Sequence, residues 1–175
     1  QKQKIMAVAK HFPGIGRTTL DSHLDMPELA VTENNLESFD LIPFSAAFDV
    51  QVAGIMLSHI RYTDIDPKWP ASLSQKIAQR LLRNQMGYNG IVMTDDLDMG
   101  AIINHYDIYT VIQQILAADV DLALICHKGP NIEIAFKEIK KIISEDIKLK
   151  EKNRQSLNRI MAHKNKFLKT YLTAS

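Results

Sequence analysis

The stretch that most limits how this chain can fold is Gly90-Ile91-Val92-Met93-Thr94-Asp95-Asp96-Leu97-Asp98-Met99. Ile91 to Met93 is a short apolar run without polar alternation, the pattern of a strand buried on both faces of a parallel sheet. It stops abruptly in three carboxylates, Asp95, Asp96 and Asp98. Acid at the carboxyl end of a parallel strand is where α/β folds keep their chemistry. Taken alone, the same acids would equally suit a solvated turn capping the next helix.

The surrounding sequence repeats the unit. Ile5–Ala9 reads as a strand ending in Lys10-His11, followed by a long Gly/Pro-punctuated loop from Phe12 to about Glu37. Asp40–Val50 fits a short helix with Leu41, Phe44, Ala47 and Phe48 on one face. The strand 53–58 leads to His59, and a loop with Asp64, Asp66, Pro67, Trp69 and Pro70 follows. Ser72–Met86 is a helix in which Ser72 and Gln75 match a capping box, with Leu73, Ile77, Leu81 and Leu82 on one side. After the 91–93 strand come a helix near Ile108–Ala118, a strand from Asp121 to Cys126, and helices over Asn131–Ser144 and roughly Leu149–Leu172.

Four strand-then-helix units in succession predict an α/β fold with a parallel sheet and outer helices. Every candidate polar group then follows a strand, so one face collects Lys10, His11, His59, Asp95 and His127. An open doubly wound sheet and part of an eight-fold barrel both satisfy the pattern. A whole (β/α)8 barrel takes about 250 residues, so 175 residues could supply around half of one.

Composition narrows the function classes. With 21 Lys plus Arg against 20 Asp plus Glu, the net charge is +1, too small a field to argue for nucleic acid or a membrane surface. The lone Cys126 forms no internal disulfide, and no apolar run reaches transmembrane length. There is no Gly-x-Gly-x-x-Gly after a strand, no P-loop and no metal-ligand spacing of Cys and His, so no cofactor and no metal are expected. The basic C-terminal run of Lys148, Lys150, Lys152, Arg154, Arg159, Lys164, Lys166 and Lys169 reads as a solvated helix face, because acids interrupt it and no aromatic ladder accompanies it. The opening Gln1-Lys2-Gln3-Lys4 carries no initiator Met or signal peptide and reads as the interior of a longer protein; with no export signal and no disulfide, a cytoplasmic location is expected.

Lys10-His11-Phe12-Pro13-Gly14, Asp21-Ser22-His23, Pro70-Ala71-Ser72-Leu73-Ser74 and Thr94-Asp95-Asp96-Leu97-x-Met99 occur in that order. Together they resemble the bacterial β-N-acetylhexosaminidases of glycoside hydrolase family 3, over residues 5 to about 128, while the C-terminal helices (131–172) add little. The resemblance implies that residues 1–175 form a single partial domain, the second half (strands five to eight) of a (β/α)8 TIM-type barrel. The first half would then come from preceding sequence or a second chain. It also implies that Asp95 is the nucleophile, His23 the general acid/base and Asp21 its partner, with Lys10 and His11 binding sugar hydroxyls. Ile15 stands where family members commonly have His.

The residue types suit such roles. A retaining glycosidase needs one carboxylate to attack the anomeric carbon and a second group that gives, then takes, a proton. An imidazole titrates near neutrality, and a nearby aspartate can fix its tautomer. The implied activity is cleavage of terminal β-linked N-acetylglucosamine, as in peptidoglycan fragments, by double displacement. Phosphorolysis is a variant, since an imidazole does not repel phosphate as a carboxylate would. Two other readings are a non-catalytic half-barrel module and a Mg²⁺ site built from Asp95, Asp96 and Asp98. Singly, Asp21-Ser22-His23 would read as a polar turn, Lys10 and His11 as a solvated strand end, Asp96 as a cap, Asp98 as exposed, and Cys126 and His127 as strand-end packing.

Overall fold

The computed structural model describes residues 1–172 apart from Arg17 and Thr19. The central strands are β3 (Gly54–Leu57) and β5 (Ile91–Asp96), flanked by β1 (Val8–Phe12) and β6 (Leu122–Leu124). All pairings are parallel, and the spatial order β1-β3-β5-β6 follows chain order without reversal. An open doubly wound sheet would reverse direction at a switch point. The unbroken order is that of a barrel wall, here an arc whose edges β1 and β6 have no partner strand on their outer sides among the described residues.

Burial grades across the arc as the sequence patterns predict. Ile55, Leu57, Val92 and Thr94 are sealed, whereas Val8 on β1 and Leu122 on β6 are exposed. The outer layer comprises α1 (Glu33–Asn35), a single π-type turn over Leu36–Asp40, α2 (Ile42–Asp49), a π-type helix over Gln75–Gln85, α3 (Gly100–Ile103), α4 (Ile108–Ala117), α5 (Asn131–Glu145) and α6 (Ile147–Leu172). Leu73, Ile77, Leu81, Leu82, Ile112 and Ile115 fill the layer between these helices and the sheet. Each such side chain is worth about 1.5–3 kcal/mol of transfer free energy.

Several boundaries differ from expectation. The first strand spans Val8–Phe12 rather than Ile5–Ala9, so Lys10 and His11 lie within it. Ile5 is 71% exposed and has nothing to bury against. The helix predicted from Ser72 begins at Gln75: Ser74, not Ser72, accepts the capping bond from Ile77 N–H at 3.2 Å. The 3₁₀ turn Ala71–Leu73 precedes it, which frees Ser72 for another contact described below. The long loop after β1 holds a short strand, β2 (Glu28–Leu29), paired in parallel with β4 (Arg61–Tyr62) at the rim. Its ion pair, Glu28 with Arg61, has no signature in hydrophobic periodicity.

The basic run of α6 is only partly a solvated face. Lys148, Lys150, Arg154, Lys164 and Lys166 are exposed, and the Lys169 side chain lies outside the described residues. Lys152 donates to the carbonyl of Ala117 at 2.6 Å, and Arg159 reaches inward to Asp119 and Asp121. The fully buried Asp121 carboxylate accepts from Arg83 Nη2 at 2.6 Å, Arg159 Nη2 at 2.8 Å and the Val92 N–H at 2.8 Å. It thereby ties α6 and the π-type helix to the start of β5. Asp121→Ala leaves the Val92 amide without its acceptor and takes one of two carboxylate partners from each guanidinium, Asp119 remaining to both, and should cost about 3 kcal/mol. Equilibrium urea unfolding reads this as a lowered midpoint, with Asp121→Asn falling between the variant and the parent.

Candidate active site

Both side chains that meet at the mouth of the sheet sit at irregularities in its ladder. In β1, Lys10 pairs with Met56 and Phe12 with Leu57, leaving His11 as an extra residue. In β5, Met93 pairs with Leu122 and Asp96 with Leu124, so the span containing Thr94 and Asp95 faces a shorter partner. Such bulges re-aim side chains at the rims of sheets. His11 and Asp95 come from strands separated by β3, yet His11 Nε2 lies 3.3 Å from Asp95 Oδ2. Burial lowers the His11 pKa, with Lys10 acting in the same direction and the Asp95 charge opposing it.

Beneath this pair is His59, 1% exposed. Its Nε2 is 2.9 Å from the Asp96 carbonyl, which can only accept, so Nε2 carries the hydrogen. Nδ1, 2.8 Å from Ser72 Oγ, then accepts from that hydroxyl. The Ser72 N–H in turn donates to the Ser58 carbonyl at 3.0 Å. The ring thus joins the end of β3 to the peptide that follows Asp96, one residue beyond Asp95. Burial pushes the His59 pKa down against the opposing pull of the Asp96 carbonyl and the neighbouring acids. From the sequence His59 was as plausible a structural residue as a ligand contact. Its position at the end of an apolar strand was the available signal.

The three acids divide their work. Asp95 borders the cleft, and its Oδ1 accepts from the Asp96 N–H at 2.9 Å. Asp96 Oδ1 accepts from the N–H groups of Asp98 (3.1 Å) and Cys126 (3.0 Å). Asp98 is not the exposed residue expected: its carboxylate accepts from the His127 N–H and from Asn131 Nδ2, fixing the turn between β6 and α5. Cys126 and His127, expected to pack at the strand end, are exposed instead. Among the described residues, the group able to offer convergent metal-ligand atoms is Asp96, Asp98 and His127, within 4.8 Å of one another, rather than Asp95, Asp96 and Asp98. Their oxygens already serve backbone and amide donors.

A cleft of about 260 Å³ lies at the carboxyl ends of the strands, lined by His11, Asp21, His23, His59 and Asp95 among others. The strand-end acid and the loop histidine therefore border one cleft. Asp21 Oδ1 accepts from the backbone N–H of His23 at 2.9 Å, the polar-turn contact these residues suggest taken singly, and not from the imidazole as its expected role of partner would have it. Lys10 is exposed and lines the adjoining cleft with Phe39, Asp40 and Phe44; His11 and Ile15 border both clefts. Gly14, at φ +134, supplies the backbone turn between them, and its carbonyl accepts from the buried Tyr62 hydroxyl at 2.6 Å.

Residues 1–162 match the family model described as the glycosyl hydrolase family 3 N terminal domain. The chain belongs to glycosyl hydrolase family 3. The β-hexosaminidase of Nitrosomonas eutropha is 38% identical over 127 residues, covering 73% of this chain and 36% of that protein. That of Pseudomonas aeruginosa is 33% identical over 136 residues, covering 78% and 40%. This family 3 chain thus spans about two fifths or less of these relatives. Among solved structures, the family 3 β-N-acetylglucosaminidase from Paenibacillus superposes with a TM-score of 0.88 at 31% identity, over 94% of this chain and 31% of that one. The β-N-acetylglucosaminidase from Thermotoga maritima gives 0.79 at 26% identity, over 89% and 34%.

His59→Ala leaves the Ser72 hydroxyl and the Asp96 carbonyl without their partner, and should cost about 2–4 kcal/mol of stability in urea unfolding. The pH dependence has a defined sign. Unfolded, the ring protonates near pH 6.5, whereas in the fold burial keeps it neutral to lower pH. The unfolded state therefore binds more protons between those two values, and stability should fall as pH drops through that window. The His59 ring resonances in NMR should stay those of a neutral Nε2–H tautomer at about pH 6.5.

Proposed function

We propose that this chain carries the nucleophile and acid/base of a retaining β-N-acetylglucosaminidase. The substrate would be terminal β-linked N-acetylglucosamine of the kind present in peptidoglycan fragments. The observation that carries the reading is the shared cleft, bordered by Asp95 and His11 from the strand ends and by Asp21 and His23 from the loop after β1, in a family 3 chain. The names of the relatives, β-hexosaminidase and β-N-acetylglucosaminidase, support the substrate class. The uncovered edges β1 and β6 support the view that further β/α units complete the sheet and the sugar site.

In this mechanism Asp95 attacks the anomeric carbon while the bond to the leaving oxygen breaks, and His23 delivers the proton to that oxygen. A water then gives its proton to His23 and attacks the same carbon, breaking the ester to Asp95 and releasing the sugar with its β configuration retained. A strand end that His59 ties down keeps the nucleophile within the narrow geometry of such an attack. A predominantly neutral His11 beside Asp95 can polarise the carboxylate without neutralising it. Lys10, in the adjoining cleft, is assigned to sugar hydroxyls beyond the reacting bond.

In the protein as its gene encodes it, Asp95→Ala and His23→Ala should each lower kcat/KM on aryl N-acetylglucosaminides. For His23→Ala the loss should be about 10²–10⁴-fold, with the loss for Asp95→Ala at least as large. Hydrolysis at the parent rate by both variants would refute the assignment. Product analysis in phosphate buffer, free sugar against glycosyl phosphate, separates hydrolysis from phosphorolysis.

A further inference from the structure

The loop that carries Asp21 and His23 is held in place almost wholly by polar contacts. Leu20 and Leu24 are exposed, the latter 70%, and burial resumes only at Met26 and Pro27. A segment with so little apolar contact depends on its hydrogen bonds for position. Beyond the bonds within the turn itself, those that residues 20–25 make to the rest of the described chain go to the turn and helix directly after β5. The Ala101 N–H donates to the Ser22 carbonyl at 3.1 Å, and the Gly100 N–H to the His23 carbonyl at 3.2 Å. Asn104 Nδ2 donates to the Leu24 carbonyl at 3.2 Å, and His105 Nε2 to Asp25 Oδ1 at 2.5 Å. Residues 22 to 25 are thus attached one after another along residues 100 to 105.

Two features show how close this docking is. A Cβ at position 100 would sit 2.4 Å from the Leu24 carbonyl oxygen and 2.8 Å from that of His23, so the approach of the two backbones requires glycine there. The contacts also use main-chain carbonyls and the Asp25 side chain, so the backbone under His23 is fixed while its imidazole remains on the cleft wall. His105 supplies the charged-group contact of the set, and its ring is braced by Tyr106 at a centroid distance of 6.2 Å.

We infer that His105, through Asp25 and the glycine gap at Gly100, is a positioning residue that holds the His23 loop against the element following Asp95. The inference rests on the function proposed above. It acts on the proton donor and not on the nucleophile, so its loss should weigh on leaving groups that need protonation. In the protein as its gene encodes it, His105→Ala should lower kcat/KM for phenyl β-N-acetylglucosaminide by about ten- to a hundredfold. The value for the 2,4-dinitrophenyl glycoside, whose leaving group departs without a proton, should change by less than about threefold. His105→Gln keeps an N–H donor toward Asp25 and should recover most of the loss. Gly100→Ala, which separates the two backbones directly, should show the same leaving-group selectivity.

Hydrogen exchange gives a second, activity-independent readout. The Gly100 and Ala101 amides should be protected in the parent and exchange faster in His105→Ala, with β3 and β5 unchanged. Equal losses on both glycosides, or no loss on either, would overturn the positioning role alone. Unprotected Gly100 and Ala101 amides in the parent would do the same even if a variant failed to fold. A parent that cleaves neither glycoside would instead overturn the catalytic reading, and this role with it.

Discussion

The contact on which the rest of the site depends is the bond from His59 to the carbonyl of Asp96. β3 and β5 seal Ile55, Leu57, Val92 and Thr94 on one face and half-bury Met56 and Met93 on the other, so charged side chains find a place only where the strands run out. There the backbone must leave the ladder, and its carbonyls lose their in-sheet partners. An imidazole with both nitrogens engaged, one on Ser72 and one on Asp96, meets that demand and holds the backbone one residue beyond Asp95. The structural cost of ending a buried strand and the requirement for a fixed carboxylate are met by the same side chain.

From that fixed point the site is built by small departures from regular pairing. The extra residues in β1 and β5 bring His11 and Asp95 together across the end of β3. Asp96 and Asp98 turn the other way and secure the entry to α5, so adjacent acids in one short sequence serve a cleft and a turn. The loop bearing His23 comes from much earlier in the chain and meets the product of the same strand, at Gly100.

Much of this was legible in the residues. The apolar runs at 53–58 and 91–93 located the central strands, and the three-acid terminus located the rim that borders the cleft, because apolar parallel strands have a distinctive composition. The helix over Gln75–Gln85 was recognisable from Leu81 and Leu82, but its start moved from Ser72 to Ser74 because Ser72 is claimed by His59. That competition is tertiary and leaves no mark on local periodicity. The bulge at His11, the β2–β4 pair and the docking of the loop on Gly100 were likewise invisible. Each depends on residues dozens of positions apart approaching through backbone atoms, which carry no sequence identity. Asp98 was misjudged as exposed for the same reason, since its partners His127 and Asn131 lie some thirty positions further along.

The arc's outer rails carry a geometric consequence. Parallel pairing sets neighbouring strands side by side with their carboxyl ends level, so a further strand laid along β1 has little choice of height. Its tip must arrive beside Lys10 and His11, and a strand laid along β6 must arrive beside the turn secured by Asp96 and Asp98. Whatever side chains such newcomers bear at their ends are thereby delivered to the same rim. The exposed flanks dictate in advance where a neighbour's chemistry will land.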